Sequence, residues 1–226
     1  MSVNEAEDGN VGYELEPASG TTDSLCVMLH GFGADGADMI EVAAEMAMYL
    51  PHTHFIAPNA PEPCLTAPGY YQWYGLEGGA AGADVAAELL APRLNRYCDA
   101  QLERLGLSND RLVMMGFSQG GGIMLEAALR RETPCAAALI YTGSLRNADR
   151  LDEVILSRPP VMMIHGDEDD VVSPARVTEA VSALAGHDVM CAHHFCLGLG
   201  HSLNEEGAMV GAMFAAEALY ASPAHR

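Results

Sequence analysis

Gly116-Phe117-Ser118-Gln119-Gly120 decides how the rest of this sequence is read. The apolar run 112–115 before it predicts a buried strand, and 121–129 after it predicts a helix. Ser118 therefore falls on a strand-to-helix corner. A corner that sharp holds its central residue in a strained backbone conformation. It also brings together the residues two positions to either side, so both must lack a side chain. They are Gly116 and Gly120. The serine hydroxyl is then carried at the carboxyl edge of a sheet, above the positive end of a helix dipole, which suits a nucleophile. The same five-residue pattern arises by chance in glycine-rich chains. What decides the matter is whether an acid and a histidine follow in the right order.

Working outward, short apolar runs recur along the chain and predict strands of a parallel sheet covered on both faces: 25–29, 54–57, 135–141 and 160–165, with 189–196 as a final strand. Helices are expected between them. Asp38 with Glu41 reads as a capping box opening a helix to about Tyr49, and Pro51 stops it. A second helix is expected over 84–105, with Val85, Leu89, Leu94, Cys98, Leu102 and Leu105 on one face and a kink or break at Pro92. Ser173 and Pro174 read as N-cap and first turn of a helix to about Ala185. Ser202 with Glu205 reads as a capping box before a last helix to about Tyr220. Strands alternating with helices predict an α/β fold, a mostly parallel sheet with helices on both faces. Ligands of such sheets gather outside the carboxyl ends of the strands.

The 226 residues suffice for one sizeable core, and no internal repeat or long linker divides them. The expected organisation is a polar N-terminal segment, 1–23, able to add an edge strand, followed by one domain over 24–226. The first twenty residues lack the basic start and apolar block of a signal peptide, and no apolar run approaches a membrane span. A cytoplasmic protein without stable membrane insertion is the expectation, as a monomer or homodimer. The six cysteines form no Cys-X-X-Cys pair and read as free thiols, most of them buried. A formal net charge of −20 argues against nucleic acid as a partner. His52 and His54 have the spacing of metal ligands, but no third ligand follows, and no metal or cofactor is expected.

A serine hydroxyl needs an imidazole to take its proton and a carboxylate to orient that imidazole. After the elbow, Asp167, Glu168, Asp169 and Asp170 offer the acid, and spacing does not choose among them; Asp167 and Asp170 also suit turn residues capping backbone amides. His201 is the histidine after that cluster that falls in a loop following a strand, while His193 and His194 lie inside a strand, His187 precedes it and His225 is on the tail. His165 reads as a strand-end residue with a structural hydrogen bond.

The motifs His30-Gly31-Phe32-Gly33, 57–61 (Ala-Pro-Asn-Ala-Pro), 116–121, 165–169 and Gly200-His201, in this order, resemble the phospholipase/carboxylesterase family of α/β-hydrolases over roughly 24–219. The resemblance implies an α/β-hydrolase fold and a serine esterase with a Ser118-Asp169-His201 triad. It further implies an oxyanion hole formed by the backbone amides of Phe32 and Gln119. Only some seventeen residues separate Tyr141 from Pro159, where larger relatives insert a helical cap, so no cap domain is expected. The acyl site is then shallow, with Leu65 and Trp73 from the aromatic loop 58–83 and Val172 as candidate walls; Trp73 alternatively reads as a core anchor. The implied activity is hydrolysis of small carboxylic esters of short to medium acyl chains. An acyl-protein thioesterase or lysophospholipase with the same machinery is the nearest alternative, and a non-catalytic binding module is a third.

All eleven basic residues are arginine, against thirty-one acids. If this acidity is a solvated surface suited to high salt, screening of its self-repulsion should raise the thermal midpoint steadily from moderate to molar NaCl. A melting series that is flat above about 0.2 M salt would reject that reading.

Overall fold

The computed structural model describes residues 2–5 and 11–221. Its centre is an eight-stranded sheet. In chain order the strands are β1 (Ser2–Glu5), β2 (Val11–Leu15), β3 (Ser24–Leu29), β4 (Thr53–Pro58), the short hairpin β5 (Glu62–Pro63) and β6 (Tyr71–Gln72), β7 (Leu112–Phe117), β8 (Ala137–Tyr141), β9 (Val161–Gly166) and β10 (Cys191–Cys196). The sheet order is β1-β2-β4-β3-β7-β8-β9-β10, with β5 and β6 forming a separate pair. From β4 to β10 every pairing is parallel, and β2 and β1 close one edge antiparallel. Residues 1 and 6–10 of the expected polar segment lie outside the described residues, and Val11–Leu15 supplies an antiparallel strand on β4.

Helices α1 (Gly36–Met46), α2 (Gly79–Leu105), α3 (Gln119–Leu129), α4 (Leu151–Val154), α5 (Ala175–Ala185) and α6 (Glu205–Ala221) cover both faces. The side-chain period of two divides each strand between two cores. Leu25, Val27 and Leu29 of β3 with Leu112 and Met114 of β7 join α2, α3 and α5 in one core. Cys26, Met28, Val113 and Met115 join α1 and α6 in the other. This two-sided burial is why the strands read as continuous apolar runs. Helix α3 is buried along its whole length. The segment between β8 and β9 carries only the single turn α4, so nothing there is large enough to be a cap domain. No helix of the described residues is long and apolar enough to cross a membrane.

Four helix expectations are corrected. Asp35, not Asp38, caps α1: its carboxylate accepts from the amides of Ala37 and Asp38, while Asp38 reaches back to the Asp35 amide from the third helical position. Asn204, not Ser202, caps α6, with its Oδ1 accepting from the Gly207 amide at 2.8 Å. Pro174 is the N-cap of α5, one residue later than expected. Helix α2 starts five residues early, runs unbroken through Pro92, and buries Ala83, Ala87 and Ala91 ahead of Leu94, Cys98 and Leu102. Val85 and Leu89 are 58% and 69% exposed. Small alanines let α2 pack close to α3, and the large apolar residues of its first turns are displaced outward.

The corner between β7 and α3 has no slack. A Cβ at Gly120 would lie 2.5 Å from the His30 carbonyl oxygen and 2.6 Å from that of Leu29; one at Gly116 would lie 2.6 Å from the Gly120 carbonyl carbon. Backbone atoms cannot yield as a flexible side chain can. Gly120→Ala is therefore expected to destabilise by about 3 kcal/mol or more in urea unfolding, at the upper end of overpacking costs. Gly82 in α2 meets nothing within 4 Å of an added Cβ. Gly82→Ala should stabilise by about 0.5–1 kcal/mol through helix propensity.

Candidate active site

Ser118 sits at φ 52°, ψ −113°, the one residue between β7 and α3. That left-handed conformation is costly for a residue with a Cβ, on the order of 1–3 kcal/mol, and persists where the surroundings impose it. The Ser118 amide donates to the Tyr141 carbonyl at 2.8 Å, and its own carbonyl accepts from Gly122 at 3.1 Å, so the backbone is pinned on both sides. Only the hydroxyl is left for other contacts. It lies 2.8 Å from Nε2 of His201.

His201 follows β10 in a loop that rests on the end of β9. Glu168 donates its amide to the Leu199 carbonyl at 3.0 Å, and the Gly198 amide donates to Oδ1 of Asp167 at 2.6 Å. Gly166 has no room for a Cβ because the Leu199 and Gly200 carbonyls press against it. The loop thereby presents the His201 ring to Ser118 on one side and to Asp169 on the other. Nδ1 of His201 lies 2.8 Å from Oδ2 of Asp169. The Phe117 ring packs on the imidazole at 5.4 Å between centroids.

Asp169 is buried and fully coordinated. Its Oδ1 accepts from the amides of Val171 and Val172, both at 2.9 Å. Nε2 of His165 lies 3.1 Å from its Oδ2 and 2.8 Å from the Val172 carbonyl. Burial pushes the Asp169 carboxyl up, but hydrogen bonds from Val172, His201 and Val171 together outweigh it and hold the group below the ordinary 3.8. Asp170, its exposed neighbour, takes no part in this arrangement. Asp167 holds the loop through the Gly198 amide, the turn role that its position allowed. Of the four acids left open by spacing, only Asp169 hydrogen-bonds to the His201 ring.

The loop after β3 faces the elbow. A Cβ on Gly31 would lie 3.4 Å from Cβ of Ser118, so the two segments are in van der Waals range. His30 fastens this loop. Nδ1 pairs with the Gly31 carbonyl at 2.7 Å, Nε2 accepts from the Ala60 amide at 2.9 Å, and the His30 carbonyl accepts from the Trp73 indole at 2.9 Å. Accepting at Nε2 fixes the neutral tautomer, and burial pushes the pKa of His30 down accordingly. The Gly33 amide donates to the Tyr71 carbonyl at 2.9 Å, and the Tyr71 amide donates to Ala34 at 3.0 Å, so β6 holds the loop's far side. Among the described residues, the backbone amides of Phe32 and Gln119 have no acceptor.

The Gln119 side chain matters more than the sequence suggests. Its Oε1 accepts from the Trp73 amide and its Nε2 donates to the Tyr74 carbonyl, both at 2.8 Å, which fastens the 71–74 segment over the start of α3. Trp73 is 5% exposed, its ring lies 5.4 Å from that of His30, and it both anchors the core and lines a small cleft of about 70 Å³ beside Pro58, Leu90 and Tyr97. Leu65 is 89% exposed. Val172 lines a cleft of about 560 Å³ beside Leu145 and Arg146. The Glu77 carboxylate lies against Gly75.

Other histidines have their own partners. His194 bonds Glu206 at 2.7 Å, His187 bonds the Ala183 carbonyl at 2.9 Å, His54 bonds the buried Glu14 at 2.7 Å and His52 bonds Ser19 at 2.7 Å. His225 lies outside the described residues. All six cysteines are unpaired, and burial pushes the Cys98 and Cys135 thiols up to about 12.

Residues 12–216 match the phospholipase/carboxylesterase family. The chain belongs to that family. As a member of the phospholipase/carboxylesterase family it is a carboxylesterase-type serine hydrolase with the α/β-hydrolase fold. It is 30% identical over 162 residues to acyl-protein thioesterase 1 homolog 1 of Dictyostelium discoideum, covering 67% of this chain and 72% of that protein. Among solved structures, esterase PE8 superposes with a TM-score of 0.86 at 32% identity, covering 91% of this chain and 97% of PE8. A carboxylesterase from Mesorhizobium loti shares the fold with a TM-score of 0.77 at 17% identity, covering 96% and 99%.

The depressed Asp169 carboxyl gives a stability prediction. A carboxyl held below 3.8 in the folded state contributes stability that is fully present above 3.8 and lost as the pH falls through the folded-state value. Asp169→Asn should therefore be less stable than the parent at pH 7, by about 1–2 kcal/mol, the scale of a lost charge-assisted hydrogen bond. In urea titrations the gap should narrow below pH 3.8. A gap independent of pH would show that the carboxylate's charge is not what matters.

Proposed function

We propose that this protein hydrolyses carboxylic esters of short to medium acyl chains through an acyl-enzyme intermediate, with Ser118 as nucleophile, His201 as general base and acid, and Asp169 as the orienting carboxylate. The observation that carries this reading is the unbroken hydrogen-bonded chain from Ser118 Oγ to His201 Nε2 and from His201 Nδ1 to Asp169 Oδ2, each link 2.8 Å. His201 carries its proton on Nδ1, where Asp169 accepts it, so Nε2 is free to take the Ser118 proton as Oγ attacks the ester carbonyl. The imidazolium so formed is stabilised by Asp169, whose bonds to the Val171 and Val172 amides keep it ionised.

Negative charge then develops on the carbonyl oxygen. The unpaired amides of Phe32 and Gln119 are the donors assigned to it, backed by the dipole of α3, whose first residue is Gln119. His201 next protonates the leaving alcohol, which departs. Water enters and gives its proton to His201 as its oxygen adds to the acyl carbonyl; the bond to Ser118 Oγ then breaks, His201 returns the proton to Oγ, and the acid leaves. No step calls for a cofactor or metal. The absence of a cap between β8 and β9 leaves the site open to small soluble esters, and the six free thiols suit a reducing, cytoplasmic setting.

A second reading, an acyl-protein thioesterase, rests on the Dictyostelium relative's name and uses the same residues. Hydrolysis rates on p-nitrophenyl esters beside thioesters of matched acyl length separate the two.

Ser118→Ala should lower kcat on p-nitrophenyl butyrate by about 10⁶-fold, as removal of a triad nucleophile does elsewhere. Turnover persisting near the parent rate in that variant would remove Ser118 from the mechanism.

A further inference from the structure

Arg146 makes no hydrogen bond to any described residue, although its side chain is only 18% exposed. Its Nε is buried without a partner, and its ion pair, Nη1 to Oδ1 of Asp84, is stretched to 3.8 Å. Nη2 of Arg130 and Nε of Arg131 are also buried without a hydrogen-bond partner, but those side chains do make hydrogen bonds, Arg130 to Glu126 and Arg131 to Asp99 and Asn95, as Arg111 does to the Leu219 carbonyl. A guanidinium offers five donors in a planar fork, and enclosing it without acceptors is costly unless a ligand supplies them.

The position of this arginine is as telling as its empty valence. It lines the cleft of about 560 Å³ that Val172 also lines, and the Val172 amide is bonded to Asp169. Arg146 packs on Gly122: a Cβ there would lie 2.8 Å from Nε. Gly122 is four residues along α3 from Ser118, an axial rise of about 6 Å. Nε of Arg146 thus lies against the first turn of α3, the helix that Ser118 precedes.

We propose that this cleft is a substrate carboxylate subsite, in which Arg146 pairs with a free carboxylate carried a few carbons from the scissile ester. The inference rests on the triad reading given above and adds the substrate class. A carboxylate matches the planar fork in a bidentate pair, which a neutral acyl chain cannot do. The charge of the ligand is limited by its neighbours. Asp84, Asp149 and Glu179 also line the cleft, Glu179 being paired with Arg176 at 3.2 Å. These acids repel a phosphate dianion more strongly than a single carboxylate charge. The carboxylate can belong to the acyl part, as in a half-ester of a dicarboxylic acid, or to the alcohol part, and the experiment separates these.

The test compares kcat/KM for mono-p-nitrophenyl adipate against p-nitrophenyl hexanoate, and for 4-carboxyphenyl hexanoate against phenyl hexanoate, in the parent and in Arg146→Met. The carboxylate-to-neutral ratio should fall about 10- to 100-fold in the variant on one of the two arms, the scale of a hydrogen bond to a charged group. Arg146→Lys should recover part of it. Ratios unchanged on both arms, or equal losses on carboxylate and neutral esters, would overturn the proposal. Should Arg146→Met fail to fold, Arg146→Gln carries the same comparison. If the parent hydrolyses none of these esters, the triad reading has failed, and calorimetric titration of adipate into the parent and Arg146→Met proteins decides the subsite separately. Binding lost with the arginine supports it, and no binding to the parent overturns it.

Discussion

The structure depends on a near-collision of main chains. The first turn of α3 passes so close to the end of β3 that position 120 cannot carry a side chain, and β7 meets α3 so tightly that position 116 cannot either. That approach holds Ser118 in its left-handed conformation and sets the loop after β3 against the elbow. Strain of on the order of 1–3 kcal/mol at one residue is small beside the burial of a helix whose every residue is enclosed. The core thus forces the geometry on the serine, and the geometry would be lost first if the two glycines gained side chains.

A second layer of polar contacts makes the arrangement rigid. His30 clamps its own loop through Gly31, Ala60 and Trp73; Gln119 clamps the 71–74 segment; His165 and two amides clamp Asp169. None of these groups needs to touch a substrate. They fix the atoms that would, which is what preorganised electrostatic catalysis requires. The same arrangement accounts for Trp73 lying in the core: the indole N–H serves the His30 carbonyl.

Much of this was legible in the sequence for a physical reason. Five of the six parallel strands stood out because burial on both faces leaves no polar alternation to obscure them, β10 being a partly exposed edge, and the elbow stood out because its steric rule admits only glycine. Helix caps were harder. Asp35 and Asp38, or Ser202 and Asn204, each offer a short polar side chain within one turn, and only tertiary contacts choose between them. The face of α2 was misjudged because leucine and valine outweigh alanine in any hydrophobic pattern, while close helix packing favours the smaller residue. The two-residue strands β5 and β6 are too short to carry a period. Arg146 belongs to no motif, and its lack of partners exists only once the cleft has formed.

The central claim is that the elbow, the loop after β3 and the His201 loop converge on one reacting atom. An experimental structure of the protein after reaction with a p-nitrophenyl phosphonate tests it most directly. Phosphorus is expected on Ser118 Oγ, with its phosphoryl oxygen about 3 Å from the amides of both Phe32 and Gln119. Phosphorus on another residue, or a phosphoryl oxygen turned away from both amides, would contradict it.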